Sequence, residues 1–248
     1  MLKAERQAYI LKALNLHHRV QASDLCRQLN VSEDTVRRDL QALADAGSAI
    51  KVHGGALSLS YYGAQNQQGV YAEDAKQVIA RKALGLIHDN MLILAGAGTT
   101  VRELAKTLPP NLHATFCTLS LSTAEALSKH PNIEVIMIGG RLSKRARVCV
   151  GGDAIMHLSE MKFDLCLMGT NSIDVRRGLS DADLAVVQLK KAMIRSARQV
   201  AVMTISEKLN TVQRGMICGL NQIHYLLTEA APDSPWLLPY REAGLEVR

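Results

Sequence analysis

The first 60 residues combine helical spacing of apolar side chains with one short alternating run. Residues 3–15 carry apolar side chains on one helical face, at Ile10, Leu11 and Leu14. A second helix is predicted to begin at Ser23, whose hydroxyl can cap free backbone N–H groups, and to direct Leu25 and Leu29 inward. The tight turn QLNVS then separates this helix from a third one.

The third helix is predicted to follow Ser32, a second capping residue, and to end at Gly47. Its buried face is marked by apolar residues at i, i+4 and i+7, which are Val36, Leu40 and Leu43. The run AIKVHGGAL, residues 49–57, alternates apolar and polar residues around a Gly-Gly turn, as in a small hairpin. Three helices followed by such a hairpin predict a winged helix-turn-helix.

The rest of the chain alternates β-rich runs with helix-length segments. Six runs are predicted to be strands: MLILAG, HATFCT, IEVIMIGG, FDLCLMGT, QVAVMTI and HYLLT. Each precedes a turn, and most precede a helical stretch, which predicts an open, mostly parallel α/β sheet covered on both faces. The polar segment SLSYYGAQNQQGV predicts a linker over residues 59–72, between a domain of residues 1–58 and a larger α/β domain of residues 73–248.

Composition and charge limit the partners and the compartment. The 29 Lys and Arg exceed the 23 Asp and Glu, and the net charge of +6 permits an anionic partner without requiring one. The five cysteines are never spaced as CxxC, so we expect reduced thiols, with no metal site and no cofactor. The N-terminus is unlike a signal peptide, and no apolar run reaches the roughly 18 residues of a membrane span, so a cytoplasmic protein without membrane contact is expected.

Two adjacent arginines, Arg37 and Arg38, lie off the apolar face of the third helix. In a winged helix-turn-helix this helix enters the major groove, where a guanidinium can bind guanine O6 and N7 or a phosphate. The alternative is that both arginines are solvated and pair with an acid of the same segment, which is Glu33, Asp34 or Asp45. The combination of caps, apolar spacing and wing favours contact with double-stranded DNA by the whole segment.

The stretch VSEDTVRRDLQAL followed by KVHGGAL resembles the DNA-binding signature of DeoR-type bacterial transcription regulators, and the resemblance covers nearly the entire chain. It implies a recognition segment from about Val20 to Asp39, with two wing residues near the DNA backbone. It also implies regulation, by repression, of genes for sugar or related catabolism. The predicted DNA-binding residues are Ser32, Thr35, Arg37, Arg38, Gln41, Lys51 and His53.

A second candidate site begins with AGTT, residues 97–100, at the start of a predicted helix. Glycine allows close approach of a ligand, helix N–H groups favour an anion, and the threonines add hydroxyl donors. The turn is therefore a candidate phosphate cradle, with a plain strand-to-helix turn as the alternative. The turns TLS, GGR and GTNSID fall at the presumed carboxyl ends of other strands, where open α/β sheets bind ligands.

The larger domain of DeoR-type regulators resembles phosphosugar isomerases in fold, which implies an effector that is a phosphorylated sugar or related metabolite. Gly96 and Ala97 replace an acid and a serine of the family pattern, and Leu119 replaces an asparagine. The basic run RLSKRAR, residues 141–147, is predicted to be a solvated loop with Arg141 facing the ligand. The predicted effector-binding residues are Gly96, Gly98, Thr99, Thr100, Thr118, Ser120, Gly140, Arg141, Gly169, Asp174 and Lys208.

Two other functions remain open alongside a ligand-responsive regulator. A sugar-phosphate isomerase would need a base near the substrate carbon, for which the candidates are Asp174, Asp181 and Asp183. A DNA-binding protein that has lost its effector is the other alternative. We predict a regulator and no enzymatic activity. Because a helix-turn-helix that reads a two-fold operator needs at least two copies, a homo-oligomer is expected.

Overall fold

The computed structural model describes residues 2–17, 19–58 and 71–248. The chain divides into two compact units, residues 1–73 and 74–248. Most of the predicted linker, residues 59–70, lies outside the described residues. Within the described ranges, no helix is both long enough and apolar enough to cross a membrane.

The N-terminal unit contains the predicted helices and hairpin. Strands β2 and β3 form the wing, and β1 pairs antiparallel with β3 in a sheet of order β1-β3-β2. Strand β1 is an addition to the predicted fold, because three residues are too few to show an alternating pattern. The elements are α1 (Lys3–His17), β1 (Arg19–Gln21), α2 (Ala22–Leu29), α3 (Glu33–Asp45), β2 (Ala49–Val52) and β3 (Gly55–Ser58).

Helix α3 begins and ends where the sequence predicts. The Ser32 hydroxyl oxygen accepts a hydrogen bond from the Thr35 N–H at 3.3 Å. After the helix, Gly47 has a φ of +65° and donates its N–H to the Ala44 carbonyl at 2.9 Å. Glycine adopts this left-handed conformation without steric cost, so it ends the helix.

Helix α2 begins one residue earlier than predicted, and the assignment of Ser23 as its cap is wrong. The N-cap is Gln21, whose side chain makes no capping hydrogen bond. The first helical residue, Ala22, donates its N–H to the Gly54 carbonyl at 2.8 Å. Because β1 runs directly into α2, the turn of the wing supplies the acceptor that a capping side chain would otherwise provide.

The core of the N-terminal unit is formed by the predicted apolar faces of its helices together with the sheet. Arg6 on α1 donates to the carboxylate of Asp39 on α3 at 2.6 Å, and Asp39 is only 2% exposed. This ion pair holds α3 against α1 on the side opposite its outward residues. The buried apolar residues are Ile10, Leu14, Val20, Ala22, Leu25, Val36, Leu40, Leu43, Ala49 and Ala56.

The C-terminal unit is built on a seven-stranded sheet of order β15-β14-β12-β9-β4-β5-β6, in which every neighbouring pair is parallel. Its elements are α4 (Glu73–Leu84), β4 (Leu92–Ala95), α5 (Thr99–Thr107), β5 (Ala114–Thr118), α6 (Leu121–Leu127), β6 (Ile133–Met137), β7 (Arg141–Ser143), β8 (Val148–Val150), α7 (Gly152–Ser159), β9 (Phe163–Gly169), β10 (Ser172–Asp174), β11 (Gly178–Asp181), α8 (Leu184–Ser196), β12 (Ala197–Met203), β13 (Gly215–Cys218), β14 (Tyr225–Leu227), α9 (Leu238–Glu242) and β15 (Glu246–Val247).

All six predicted strands are confirmed, as β4, β5, β6, β9, β12 and β14. In the centre of the sheet, Leu94 lies opposite Cys117 on one side and Cys166 on the other, and all three are fully buried. Consecutive residues of β4 and β9 are buried, so both faces of the sheet are covered, as their continuous apolar runs predict.

The sequence does not predict the shorter strands. The two-residue strand β15 extends the sheet, and β10, β11 and β13 form a separate antiparallel sheet. The basic run RLSKRAR is partly structured, which corrects its assignment as a loop. Arg141–Ser143 form β7, which pairs with the buried apolar strand Val148–Val150. In the turn between these strands, Lys144 and Arg145 are exposed, whereas Arg147 is half-buried.

Candidate nucleic-acid interface and ligand site

The outward face of α3 presents the arginine pair to solvent. The side chains of Arg37 and Arg38 are 70% and 77% exposed. Both pair with Asp34: Arg37 Nη2 lies 2.8 Å from Oδ1, and Arg38 Nε lies 3.0 Å from Oδ2. The hydrogen bond and charge of Arg38 contribute most to lowering the pKa of Asp34. Ion pairs this exposed contribute little in water, so an incoming phosphate can replace the carboxylate.

The wing extends the same polar surface. Lys51 on β2 donates from Nζ to Oε1 of Gln41 on α3 at 2.6 Å, and the Gln41 amide donates to Asp45 at 2.7 Å. His53, in the turn of the wing, is exposed. A recognition helix and a wing joined in this way offer several hydrogen-bond donors to the DNA backbone and base edges.

All seven predicted DNA-binding residues lie in the N-terminal unit, and only Thr35 among them is half-buried rather than exposed. The hydroxyl groups of Ser32 and Thr35 are 2.9 Å apart at the start of α3. Ser32 therefore caps the helix while its hydroxyl group stays at the surface.

In the C-terminal unit, hydrogen bonds join the turns that follow the parallel strands. The Thr123 hydroxyl donates to the Gly96 carbonyl at 3.0 Å, which links α6 to the turn after β4. The Gly96 N–H donates to the Leu167 carbonyl on β9 at 2.8 Å. Lys208, after β12, donates from Nζ to the Thr170 carbonyl after β9 at 3.1 Å. The structure thus gathers several predicted effector-binding turns at one edge of the sheet.

The predicted cradle is open at Gly98. This residue is the N-cap of α5, is exposed, and has a φ of +122°; a Cβ added there would meet no atom within 4 Å. Thr99 is half-buried and Thr100 is buried. Gly96 has a different role, because its added Cβ would lie 3.2 Å from the Leu167 carbonyl oxygen. Gly96 therefore allows close packing, whereas Gly98 leaves room for a ligand.

Thr118 and Ser120 shape their turn from inside. Both are buried; the Thr118 hydroxyl oxygen accepts from the Ser120 N–H at 3.1 Å, and the Ser120 hydroxyl oxygen accepts from the Thr123 N–H at 3.4 Å. Two predicted glycines are also packing positions. An added Cβ would lie 3.0 Å from the Ala154 Cβ at Gly140, and 3.1 Å from the Ala97 carbonyl oxygen at Gly169.

Two other predicted effector-binding residues sit on hairpins. Asp174 is the last residue of β10, just before the turn to β11, and its Oδ1 accepts from the N–H groups of Arg176 and Arg177 at 2.9 and 2.8 Å. Its carboxylate thus stabilises its own turn. Arg141, at the start of β7, is exposed.

Lys208 belongs to a cluster of basic side chains that the sequence did not reveal. It is half-buried, and burial together with the positive charges of Lys76 and Lys190 lowers its pKa to about 7, against the opposing effect of Asp181 and Glu207. Lys76 on α4 is 4% exposed. These lysines are far apart in sequence and lie on different elements, so no local motif could have identified them together.

Each of the three carboxylates considered as a catalytic base has a structural role. Burial raises the pKa of Asp181, but the Lys190 ammonium at 3.0 Å, with hydrogen bonds from Asp183 N–H and the Asn171 amide, lowers it overall. The Asp183 side chain caps α8. With Asp174 engaged in its turn, this arrangement gives no support to the isomerase alternative.

Two family models match the chain: "DeoR-like helix-turn-helix domain" over residues 6–61 and "DeoR C terminal sensor domain" over residues 72–230. The HTH-type transcriptional repressor GlcR of Bacillus subtilis (strain 168) is 33% identical over 253 residues, covering 100% of this chain and 96% of that protein. The HTH-type transcriptional regulator GolR of Listeria innocua is 28% identical over 251 residues, covering 100% and 99%. Among solved structures, eIF2B beta from Chaetomium thermophilum is similar at a TM-score of 0.48 and 13% identity, over 68% of this chain and 53% of that chain.

Proposed function

Because this chain belongs to the DeoR family of DNA-binding transcription regulators, we propose that its C-terminal unit binds a phosphorylated sugar-type metabolite, which changes how the N-terminal unit binds its operator. The named relatives are transcription regulators rather than enzymes. By analogy with the repressor GlcR, the proposed action is repression. The regulated genes are proposed to serve sugar or related catabolism, as the family resemblance implies.

The observation that carries the effector proposal is the basic edge of the C-terminal sheet. Lys208 and its neighbours Lys76 and Lys190 place positive charge near Thr170, in the turn that follows β9. The turn of β9 packs against the turn that leads to Gly98, since an added Cβ at Gly169 would touch the Ala97 carbonyl. Backbone N–H groups at the start of α5 and a nearby lysine suit a phosphate monoester.

Operator binding is proposed to use α3 in the major groove, with Arg37 and Arg38 released from Asp34 and with Lys51 and His53 of the wing beside the backbone. A two-fold operator is read by two copies, so we also propose that the active form is at least a dimer. A sedimentation mass of a single chain at micromolar concentration would contradict that assembly.

A thermal-shift screen of the intact protein against sugar phosphates tests the effector proposal. A ligand that binds only the native state at about 100 times its Kd adds about 2.7 kcal/mol to the free energy of unfolding, so we expect a rise in Tm of about 5–11 °C. The same sugars without phosphate are the matched control and should give much smaller shifts. If no sugar phosphate raises the Tm while operator binding is intact, the protein is a DNA binder without this class of effector.

Lys208 makes effector binding depend on pH. Its folded-state pKa of about 7 means that it is largely neutral at pH 8.5 and gains a proton as the pH falls. A phosphate monoester, with a second pKa of about 6, stays mostly dianionic above pH 7. Lowering the pH from 8.5 to 7 should therefore strengthen binding of the active sugar phosphate by about tenfold, measured by calorimetry.

The Lys208→Met variant should bind more weakly and show a nearly flat profile over this range. Lys162→Met is the matched control, because Lys162 is an exposed lysine just before β9, away from its carboxyl end. If effector binding by Lys208→Met depends on pH as steeply as in the wild type, Lys208 does not take part in binding.

A further inference from the structure

The turn between β7 and β8 contains an arginine with an unusual environment. Arg147 is half-buried, and its Nε is fully enclosed without a hydrogen-bond partner among the described residues. Its backbone has a φ of +53°, in the left-handed region that favours glycine. A buried donor left without an acceptor and a left-handed non-glycine residue both disfavour the folded state, and here they coincide at one residue.

Arg147 lies at the carboxyl end of β5. Its carbonyl accepts a hydrogen bond from the Leu121 N–H at 3.4 Å, and the next residue, Val148, forms a β-bridge with Ser120. The Cys149 N–H donates to the Leu119 carbonyl at 2.8 Å. These contacts fix Arg147 beside the Thr118–Ser120 turn, which is one of the predicted effector-binding turns. Arg141 of the same hairpin, which the sequence predicts to face the ligand, is exposed.

An oxyanion supplies what the Arg147 environment lacks. The Nε–H of a guanidinium donates side-on to phosphate or carboxylate oxygens, and such charge-assisted hydrogen bonds are stronger than neutral ones. The Nε is enclosed by protein atoms in this structure, so an oxyanion would reach it only after the Arg147 side chain moves; it would then satisfy the Nε and place a negative charge against the guanidinium. The folding cost of this arginine is then explained by a ligand that is present in the working state.

We propose that Arg147 is an oxyanion-binding residue of the effector site and that it contacts an acidic group of the ligand through Nε–H. The proposal rests on the proposed sensor function of the C-terminal unit. The shared chemistry is a tetrahedral or planar oxyanion, either the phosphate of the effector or a carboxylate that the metabolite carries.

The test compares the intact wild type with Arg147→Gly and Lys144→Ala. Glycine at position 147 relieves the left-handed backbone and removes the enclosed donor, so the ligand-free variant should melt no lower than the wild type and should bind inorganic phosphate at least about tenfold more weakly. Lys144 is exposed in the same turn, and Lys144→Ala removes the same charge. It should keep the wild-type affinity for phosphate.

Citrate at matched ionic strength distinguishes the two candidate acidic groups of the ligand. If the wild type binds phosphate more strongly than citrate, Arg147 contacts a phosphate group; if it binds citrate more strongly, Arg147 contacts a carboxylate. A lower Tm of ligand-free Arg147→Gly would show a structural arginine and overturn the proposal. So would wild-type affinity for both anions in that variant, or binding of neither anion by the wild type. Measuring how a sugar phosphate changes operator binding by Arg147→Gly distinguishes the Arg147 proposal from the proposed sensor function. If operator binding by this variant still responds to the sugar phosphate, the sensor function stands and only the role of Arg147 is wrong.

Discussion

Replacing Arg37 and Arg38 together by alanine is expected to abolish specific operator binding without unfolding the protein. Both side chains are exposed on α3 and away from its buried face, so their loss leaves the core intact. One bidentate base contact is worth about 1–3 kcal/mol, which corresponds to about 5- to 150-fold in affinity, and a lost phosphate contact also reduces the salt dependence. Fluorescence anisotropy with operator DNA at two salt concentrations measures both effects.

Arg198→Ala is the matched control for this double variant. Arg198 is an equally exposed arginine in an ion pair with Asp164, but it lies in the C-terminal unit. It should leave operator affinity and salt slope unchanged. If the double variant binds operator as the wild type does, the ion pairs with Asp34 are the whole role of these arginines, and α3 does not read DNA through them.

Gly98→Asp is expected to remove the effector response while leaving operator binding in the absence of effector intact. The new carboxylate would enter the open space at the start of α5, where the proposed phosphate lies, and would repel it. The operator affinity of wild type and variant, with and without the active sugar phosphate, measures the response. The expected result is a large effector-induced change in the wild type and none in Gly98→Asp.

Backbone strain is separated from charge by Gly98→Ala. At a φ of +122° both substitutions strain the backbone, and the alanine Cβ meets no neighbouring atom, so this control carries the strain without the carboxylate. Gly98→Ala should retain part of the response. A folded Gly98→Asp protein, checked by circular dichroism, that responds to effector as the wild type does would rule out the cradle.

The sequence predicted features that depend on local patterns and failed where partners are distant. The spacing of Val36, Leu40 and Leu43 places them on one side of the chain only if the segment is a helix, and the capping residue Ser32 lies just before it. Local spacing was therefore sufficient to predict α3. Ser23 has the same chemistry, but the acceptor for the start of α2 comes from Gly54 in the wing. A capping residue identifies the start of a helix only when no other element supplies the hydrogen-bond acceptor there.

The edge of the C-terminal sheet where the parallel strands end shows the same contrast between local patterns and distant partners. Gly98 and the turns after the strands could be found because parallel strands place their carboxyl ends at one edge. The burial that lowers the pKa of Lys208, and the nearby charges of Lys76 and Lys190, depend on how separate helices and turns meet. In the basic hairpin, the sequence favoured Arg141, which belongs to the GGR turn after a predicted strand, whereas enclosure of the Nε distinguishes Arg147.

We propose that ligand binding in one unit changes operator binding by the other. The most direct test measures the operator Kd of the intact wild-type protein with and without sugar phosphates, at fixed salt and pH. Coupling between sites typically amounts to about 1–3 kcal/mol. We therefore expect at least one sugar phosphate to change the operator Kd by about fivefold or more, while the same sugar without phosphate leaves it unchanged. An operator Kd that stays constant across all the sugar phosphates tested, in a protein that binds operator specifically, would show that the two units are not coupled by this class of ligand.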